Sequence, residues 1–198
     1  MNIIKNIKKA HFVRKEKIQR LRSLSYKQKY NSCVLASYAV IASIFSNGYD
    51  LRDFFIAWCE HFKIEGINSD DDAEVEFCRS FQKEYTNRNI NGYSIMKEIH
   101  ETSDVDVFSS CRKLFSLTFQ NFDNRDYSLL DAALKSDNSC ALIFINKSLM
   151  GITSNMHSIS LFYCNDYYFY DTNCAKLGNI PYISSLGEIG DCLIIRGT

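Results

Sequence analysis

Three residues in this chain have the side-chain types that covalent catalysis uses: Cys33 in NSCVLASYAVIASIF, and His157 and Asp171 in NMHSISLFYCNDYYFYDTN. A thiol, an imidazole and a carboxylate in that order can act as the nucleophile, base and orienting group of an acyl transfer. A cysteine attacks as its thiolate, and Cys33 opens an apolar run of helical length. The unpaired N–H groups and dipole of a helix start favour negative charge, and an imidazolium from His157 would favour it further. Asn173 and Asp166 compete with Asp171 for the orienting role. Asp171 is preferred because it ends a strand and because a carboxylate stabilises imidazolium. Each residue alone reads equally well as a packing cysteine, a strand-end histidine or a turn acid, so the conjunction carries the reading.

These residues need a helix and a hairpin to bring them together. CVLASYAVIASIF has helical length and is followed by Asn47-Gly48 as a stop. Asp50 can cap a second helix, LRDFFIAWCEHF, and further helices are expected in AEVEFCRSFQKEY, GYSIMKEIHE and DYSLLDAALKS. Residues 104–124 fit neither period. Beyond Ser139 the runs CALIFIN, HSISLFY, DYYFYD and CLIIRG read as strands, which makes the chain α+β rather than a wound βαβ fold. His157 and Asp171 are both odd-numbered, so they share a sheet face only if paired positions sum to an even number. A turn centred near Cys164 or Asn165 satisfies that condition, whereas a two-residue Asn165-Asp166 turn would separate them.

Hydrophobic residues make up 46% of the 198 and aromatics 14%, enough for one domain with a sizeable core. Net charge is zero but segregated: residues 1–30 carry ten Lys/Arg against Glu16 alone, leaving thirteen basic and twenty-two acidic residues beyond. Residues 1–27 are therefore expected as a basic N-terminal arm, and residues 28–198 as the domain. Such an arm could bind an anionic partner such as nucleic acid or a membrane surface, or dock on its own acidic body. Lys5, Lys8 and Lys9 interrupt any signal-peptide core, and no run approaches a transmembrane span, so a cytoplasmic protein with eight free thiols is expected. No CxxC, HxxxH or HExxH spacing suggests a metal, and no cofactor is implied.

The order Cys, His, Asp, with Cys33 opening a long helix and His157 opening a hairpin, resembles the papain-like cysteine peptidase fold. CVLASYAV is similar to the CGxAxLAM-type stretch of the bacteriocin-processing double-glycine peptidases, and YYFYDTN resembles their hairpin ending in Asp-Pro. The wide Cys-to-His interval is similar to that of YopT-type effector proteases. The resemblance covers residues 28–173 in organisation. It implies a nucleophile helix packed on an antiparallel sheet, and a glutamine upstream of the cysteine that helps hold the oxyanion. Gln28 is the match, five residues before Cys33 where the family usually has about six, and Asn31 competes with it. Val34 stands where the family has glycine, and Thr172 where it has proline.

The resulting expectation is a thiol hydrolase acting on a peptide or protein substrate, with Cys33, His157, Asp171 and Gln28 as its catalytic residues. The same constellation supports glutamine deamidation, transglutamination or acyl transfer. Export without a signal peptide is implied by the resemblance alone. A non-enzymatic binding module recruited through the basic arm is the reading from a different class.

Overall fold

A helix that is apolar on every side belongs at the centre of a structure. CVLASYAVIASIF contains no charged residue, and in the computed structural model it forms α2 (Cys33–Phe45), with nearly every side chain from Leu35 to Ile44 buried. Residues 15–29, 32–46, 48–65, 67, 73–76, 78–80, 83, 92–121, 127–136, 138–145 and 157–197 are described by this structure. Asn47 of the anticipated stop lies outside them.

Before α2 comes α1, spanning residues 15–23, and after it α3 (Leu51–His61). Asp50 starts α3 as a full capping box: its Oδ1 accepts the N–H groups of Arg52 and Asp53, and Asp53 Oδ2 accepts the Asp50 N–H at 2.7 Å. Phe54 and Trp58 from α3 then pack against Tyr38 of α2, and Phe55 against Trp58. Helical residues 73–76 and 78–80 form α4, followed by α5 (Gly92–Thr102), α6 (Asp106–Leu114) and α7 (Ser128–Lys135).

Six strands form one antiparallel sheet: β1 (Phe115–Asn121), β2 (Ser139–Ile145), β3 (His157–Cys164), β4 (Asp166–Asp171), β5 (Lys176–Ile180) and β6 (Ile189–Gly197), in the order β1-β6-β2-β3-β4-β5. One face, with Leu142, Phe162, Tyr170, Leu193 and Ile195, shares a core with α2, α3, α5 and α6. The other, with Ala141, Ile143, Leu161, Phe169 and Ile194, is covered by Leu130, Ala133 and Leu134 of α7 and by Ile183 and Leu186 of a short 3-10 turn. The architecture is α+β.

Within residues 104–124, which fit no single period, α6 gives way directly to β1, and residues 122–124 lie outside the described residues. Phe115 and Leu117 point inward while Ser116 faces solvent, a strand alternation that begins directly at the last helical turn. The β3–β4 register pairs Ser160 with Tyr170 and Cys164 with Asp166, which centres the hairpin on Asn165 at φ 66°. That is the even-sum register, so His157 and Asp171 fall on the same face of the sheet.

Residues 15–27 of the expected arm run against the body of the domain. Ile18 and Leu21 are buried in the same core as α2. Lys17 lies over the Phe45 ring at 3.8 Å and also bonds Asn138, while Arg20 donates to the Ile44 carbonyl at 3.1 Å and pairs with Glu16. The long basic side chains thus cover apolar surface with their stems and reach carbonyls with their heads, so the positive charge of residues 15–23 coexists with packing. Residues 1–14 of the expected arm lie outside the described residues. Among the described residues no helix is long and apolar enough to cross a membrane.

On the edge strand β5, Gly178 pairs with Phe169, whose ring covers it: a Cβ at Gly178 would stand 2.3 Å from Phe169 Cζ. Phe169 is fully buried, so the ring has little room to yield. Gly178→Ala is expected to destabilise the fold by about 1–3 kcal/mol, read as a lower urea midpoint at unchanged slope.

Candidate active site

Cys33 is the first residue of α2 and is partly exposed. Its N-cap, Ser32, makes no capping bond: the hydroxyl donates instead to the Lys29 carbonyl at 2.7 Å and approaches the Glu74 carboxylate at 3.4 Å. A serine in that position ordinarily satisfies a first-turn N–H, contributing about 1 kcal/mol. Here the N-cap hydroxyl is turned to other partners and caps no first-turn N–H.

Small side chains set how α2 meets the sheet. Ser37, one turn after Cys33, donates to the Ser158 carbonyl at 3.1 Å, and its own carbonyl accepts from the Ser160 hydroxyl at 3.1 Å. Ser158 is the neighbour of His157, so these two bonds fix the helix that Cys33 opens against the strand that His157 opens. Tyr93 of α5 supports the same strand with a 2.8 Å bond between its hydroxyl and that of Ser158.

His157 is 2% exposed and Asp171 is fully buried. His157 Nε2 lies 2.6 Å from Asp171 Oδ1. Nε2 is engaged by the carboxylate, and the Cys33 thiol is near enough to the ring to act on its charge. Burial by itself would pull the imidazole down, but the hydrogen bond to Asp171 and the interaction with Cys33 outweigh it and push His157 up to about 9. For Asp171 the sign is opposite. Burial would raise it, yet bonds from His157, the Cys174 thiol and the Asn173 N–H hold its carboxyl below the ordinary carboxylate range. Two of those bonds are explicit in the geometry, Asn173 N–H to Oδ1 at 2.8 Å and Cys174 Sγ to Oδ2 at 2.9 Å.

His157 and Asp171 are therefore joined directly, and Cys33 is near enough to act on the imidazole. The rivals for the orienting role lie elsewhere: Asn173 supports Asp171 through its backbone, and Asp166 is exposed at the hairpin turn. Gln28 is half-buried and joined to the loop after β4, where its N–H donates to the Thr172 carbonyl at 2.7 Å and its Oε1 accepts the Thr172 hydroxyl. Asn31, the alternative, is outside the described residues. Sequence reasoning overlooked Glu74, Ser37, Ser158 and Ser160. Serines alternating at 158 and 160 within an apolar strand were the available signal for a close helix contact, whereas Glu74 reads from sequence as an ordinary acid near a helix start.

Among the described residues no group of histidines, cysteines and acids has the arrangement of a metal site. Comparison with protein-family models, curated proteins and solved structures found no match to this chain.

The other thiols are poor competitors for a reagent. Burial pushes Cys78, Cys111 and Cys140 up to about 12, and burial together with the Asp171 bond pushes Cys174 up to about 11. At pH 6, limiting iodoacetamide is expected to label Cys33 ahead of the other seven cysteines, ranked by mass spectrometry of the native protein. Labelling of Cys164 or Cys174 ahead of Cys33 would contradict the contact with His157.

The raised His157 also makes stability depend on pH. A histidine near 6.5 in the unfolded chain and about 9 when folded contributes fully below about 6.5, and that contribution is lost as pH rises through 9. Between pH 7 and 9.5 the melting temperature of the wild type should fall more than that of His157→Gln, measured by thermal denaturation across pH.

Proposed function

We propose that this chain is a papain-like thiol hydrolase that cleaves peptide bonds through Cys33, His157 and Asp171. The observation that carries the reading is the buried His157–Asp171 bond of 2.6 Å, with a cysteine that opens a helix near enough to act on the charge of the same imidazole. A buried carboxylate held ionised beside the ring stabilises the imidazolium, which the backbone carbonyl and tyrosine hydroxyl around the buried His100 do not.

In the proposed reaction His157 holds the proton of the Cys33 thiol, and the thiolate attacks the carbonyl carbon of the substrate. The oxyanion that forms is met by the Cys33 N–H and by the amide Nε2 of Gln28. His157 passes its proton to the departing amine as the C–N bond breaks, which leaves a thioester on Cys33. Water, deprotonated by His157, then attacks the thioester carbon, releasing the acid and restoring the thiol. Asp171 keeps the ring in the tautomer and orientation that both steps need. The same chemistry on a glutamine side chain would be deamidation, and an amine in place of water would give transfer.

The other reading, a binding module recruited through the basic arm, would have to use the exposed cations of residues 15–27, because Ile18 and Leu21 are packed into the core.

Cys33→Ala is expected to abolish turnover of a fluorogenic peptide library while changing the unfolding midpoint little, because the thiol is only partly buried. Asp171→Asn should leave partial activity and move the alkaline limb of the rate–pH profile to lower pH, since the carboxylate is one of the groups that lift His157 to about 9. An alkaline limb unchanged in Asp171→Asn would count against an imidazolium as the proton donor.

A further inference from the structure

Gln28 lies in a stretch of backbone that is anchored on both sides. The Tyr170 hydroxyl bonds the carbonyls of Leu24 at 3.3 Å and Tyr26 at 3.0 Å. The Glu74 carboxylate, buried on α4, accepts the Tyr26 hydroxyl at 2.6 Å and the Lys29 N–H at 2.8 Å. The N–H of Gln28 itself goes to the Thr172 carbonyl at 2.7 Å. With the main chain placed, what is left to define is the rotamer of the Gln28 side chain and the flip of its amide.

Thr172 supplies that definition. Its hydroxyl donates to Gln28 Oε1, and Thr172 is fully buried, so water does not compete for the bond. An amide whose oxygen is engaged in this way presents its NH2 edge as the donor, whereas the reverse flip would turn a lone pair towards a developing negative charge. Thr172 directly follows Asp171, the residue that orients His157. One short segment at the end of β4 thus touches both halves of the candidate machinery.

We propose that Thr172 is a positioning residue that sets the amide of Gln28 for oxyanion stabilisation, so that the end of β4 orients the base through Asp171 and the oxyanion donor through Thr172. The inference rests on the reading of the site given under Proposed function, and it adds a residue whose role is exerted through Gln28 rather than on the substrate.

Two reagents with different transition states test it without knowledge of the physiological substrate. With p-nitrophenyl acetate the Cys33 sulfur bonds to the acetyl carbon through a tetrahedral oxyanion, the C–O bond breaks, and p-nitrophenolate leaves with the electron pair while His157 keeps the thiol proton. With iodoacetamide the same sulfur displaces iodide at a saturated carbon, and no oxyanion forms. Acetylation and alkylation of Cys33 are each followed by mass spectrometry.

Thr172→Val is expected to slow acetylation about tenfold, less than the 10²–10³ typical for loss of an oxyanion donor itself, while alkylation stays within about twofold of wild type. Thr172→Ser keeps the hydroxyl and should restore acetylation. Gln28→Ala should slow acetylation at least as much, and adding Thr172→Val to it should change little further, because both act through one amide. The proposal is overturned if Thr172→Val acetylates Cys33 at the wild-type rate while Gln28→Ala is slow, or if acetylation and alkylation decline together. A different result, acetylation of the protein that persists undiminished in Cys33→Ala, would instead bring down the underlying reading of the site.

Discussion

Ser37 exchanges hydrogen bonds with β3 in both directions, giving its hydroxyl proton to the Ser158 carbonyl and accepting that of Ser160 on its own carbonyl. Interiors are packed like crystals, so the distance between a helix and a sheet is set by the side chains between them. Serines at all three positions let the α2 backbone come close enough for direct bonds, and the bonds fix the helix along its own axis as well as in distance. A slip of α2 by one residue would move Cys33 by about 1.5 Å and rotate it by roughly 100°. The contact between Cys33 and His157 therefore depends on three hydroxyl-bearing residues that do no chemistry.

Around that bracket the polar groups are satisfied in a nested fashion. Asp171 receives His157 and Asn173 on one oxygen and Cys174 on the other. Glu74 receives Tyr26 and Lys29, and the Ser32 hydroxyl lies near the same oxygen. Burying a carboxylate is costly unless donors surround it, and a carboxylate surrounded by donors holds each of them in place. Two buried acids on different elements thus organise two segments of the candidate site, one holding His157 and the other the loop that carries Gln28.

Much of this was legible in the sequence for specific reasons. The strands β3 and β4 announce themselves by composition, and the parity of His157 and Asp171 reduced their relation to a single condition that the Asn165-centred turn meets. The Asp50 cap was equally readable, because capping is decided within four residues. What escaped depended on partners distant in sequence. β5 is a five-residue edge strand, KLGNI, whose only fully enclosed side chain is Ile180, so it lacks the alternation of a half-buried strand. Charge alone leaves residues 1–27 free to dock on the body or to reach a partner; Ile18 and Leu21 decide where α1 goes, and two apolar residues three apart are a faint signal among so many cations. Thr172 could be seen only as a departure from proline, since its bond to Gln28 spans 144 positions.

The placement of β6 has a consequence for how the protein is made. This last strand pairs with β1 on one side and β2 on the other, so it joins an otherwise detached edge to the strands that carry His157 and Asp171. Synthesis runs from the N-terminus, and pairings between distant segments form slowly. A nascent chain can build the β2–β3–β4 ribbon and the helices early, but β1 and the two-faced core must wait until residues near 197 have left the ribosome. Cys33 is thus translated long before the sheet that completes its surroundings, and a chain stopped short of β6 would carry the thiol without the continuous sheet behind it.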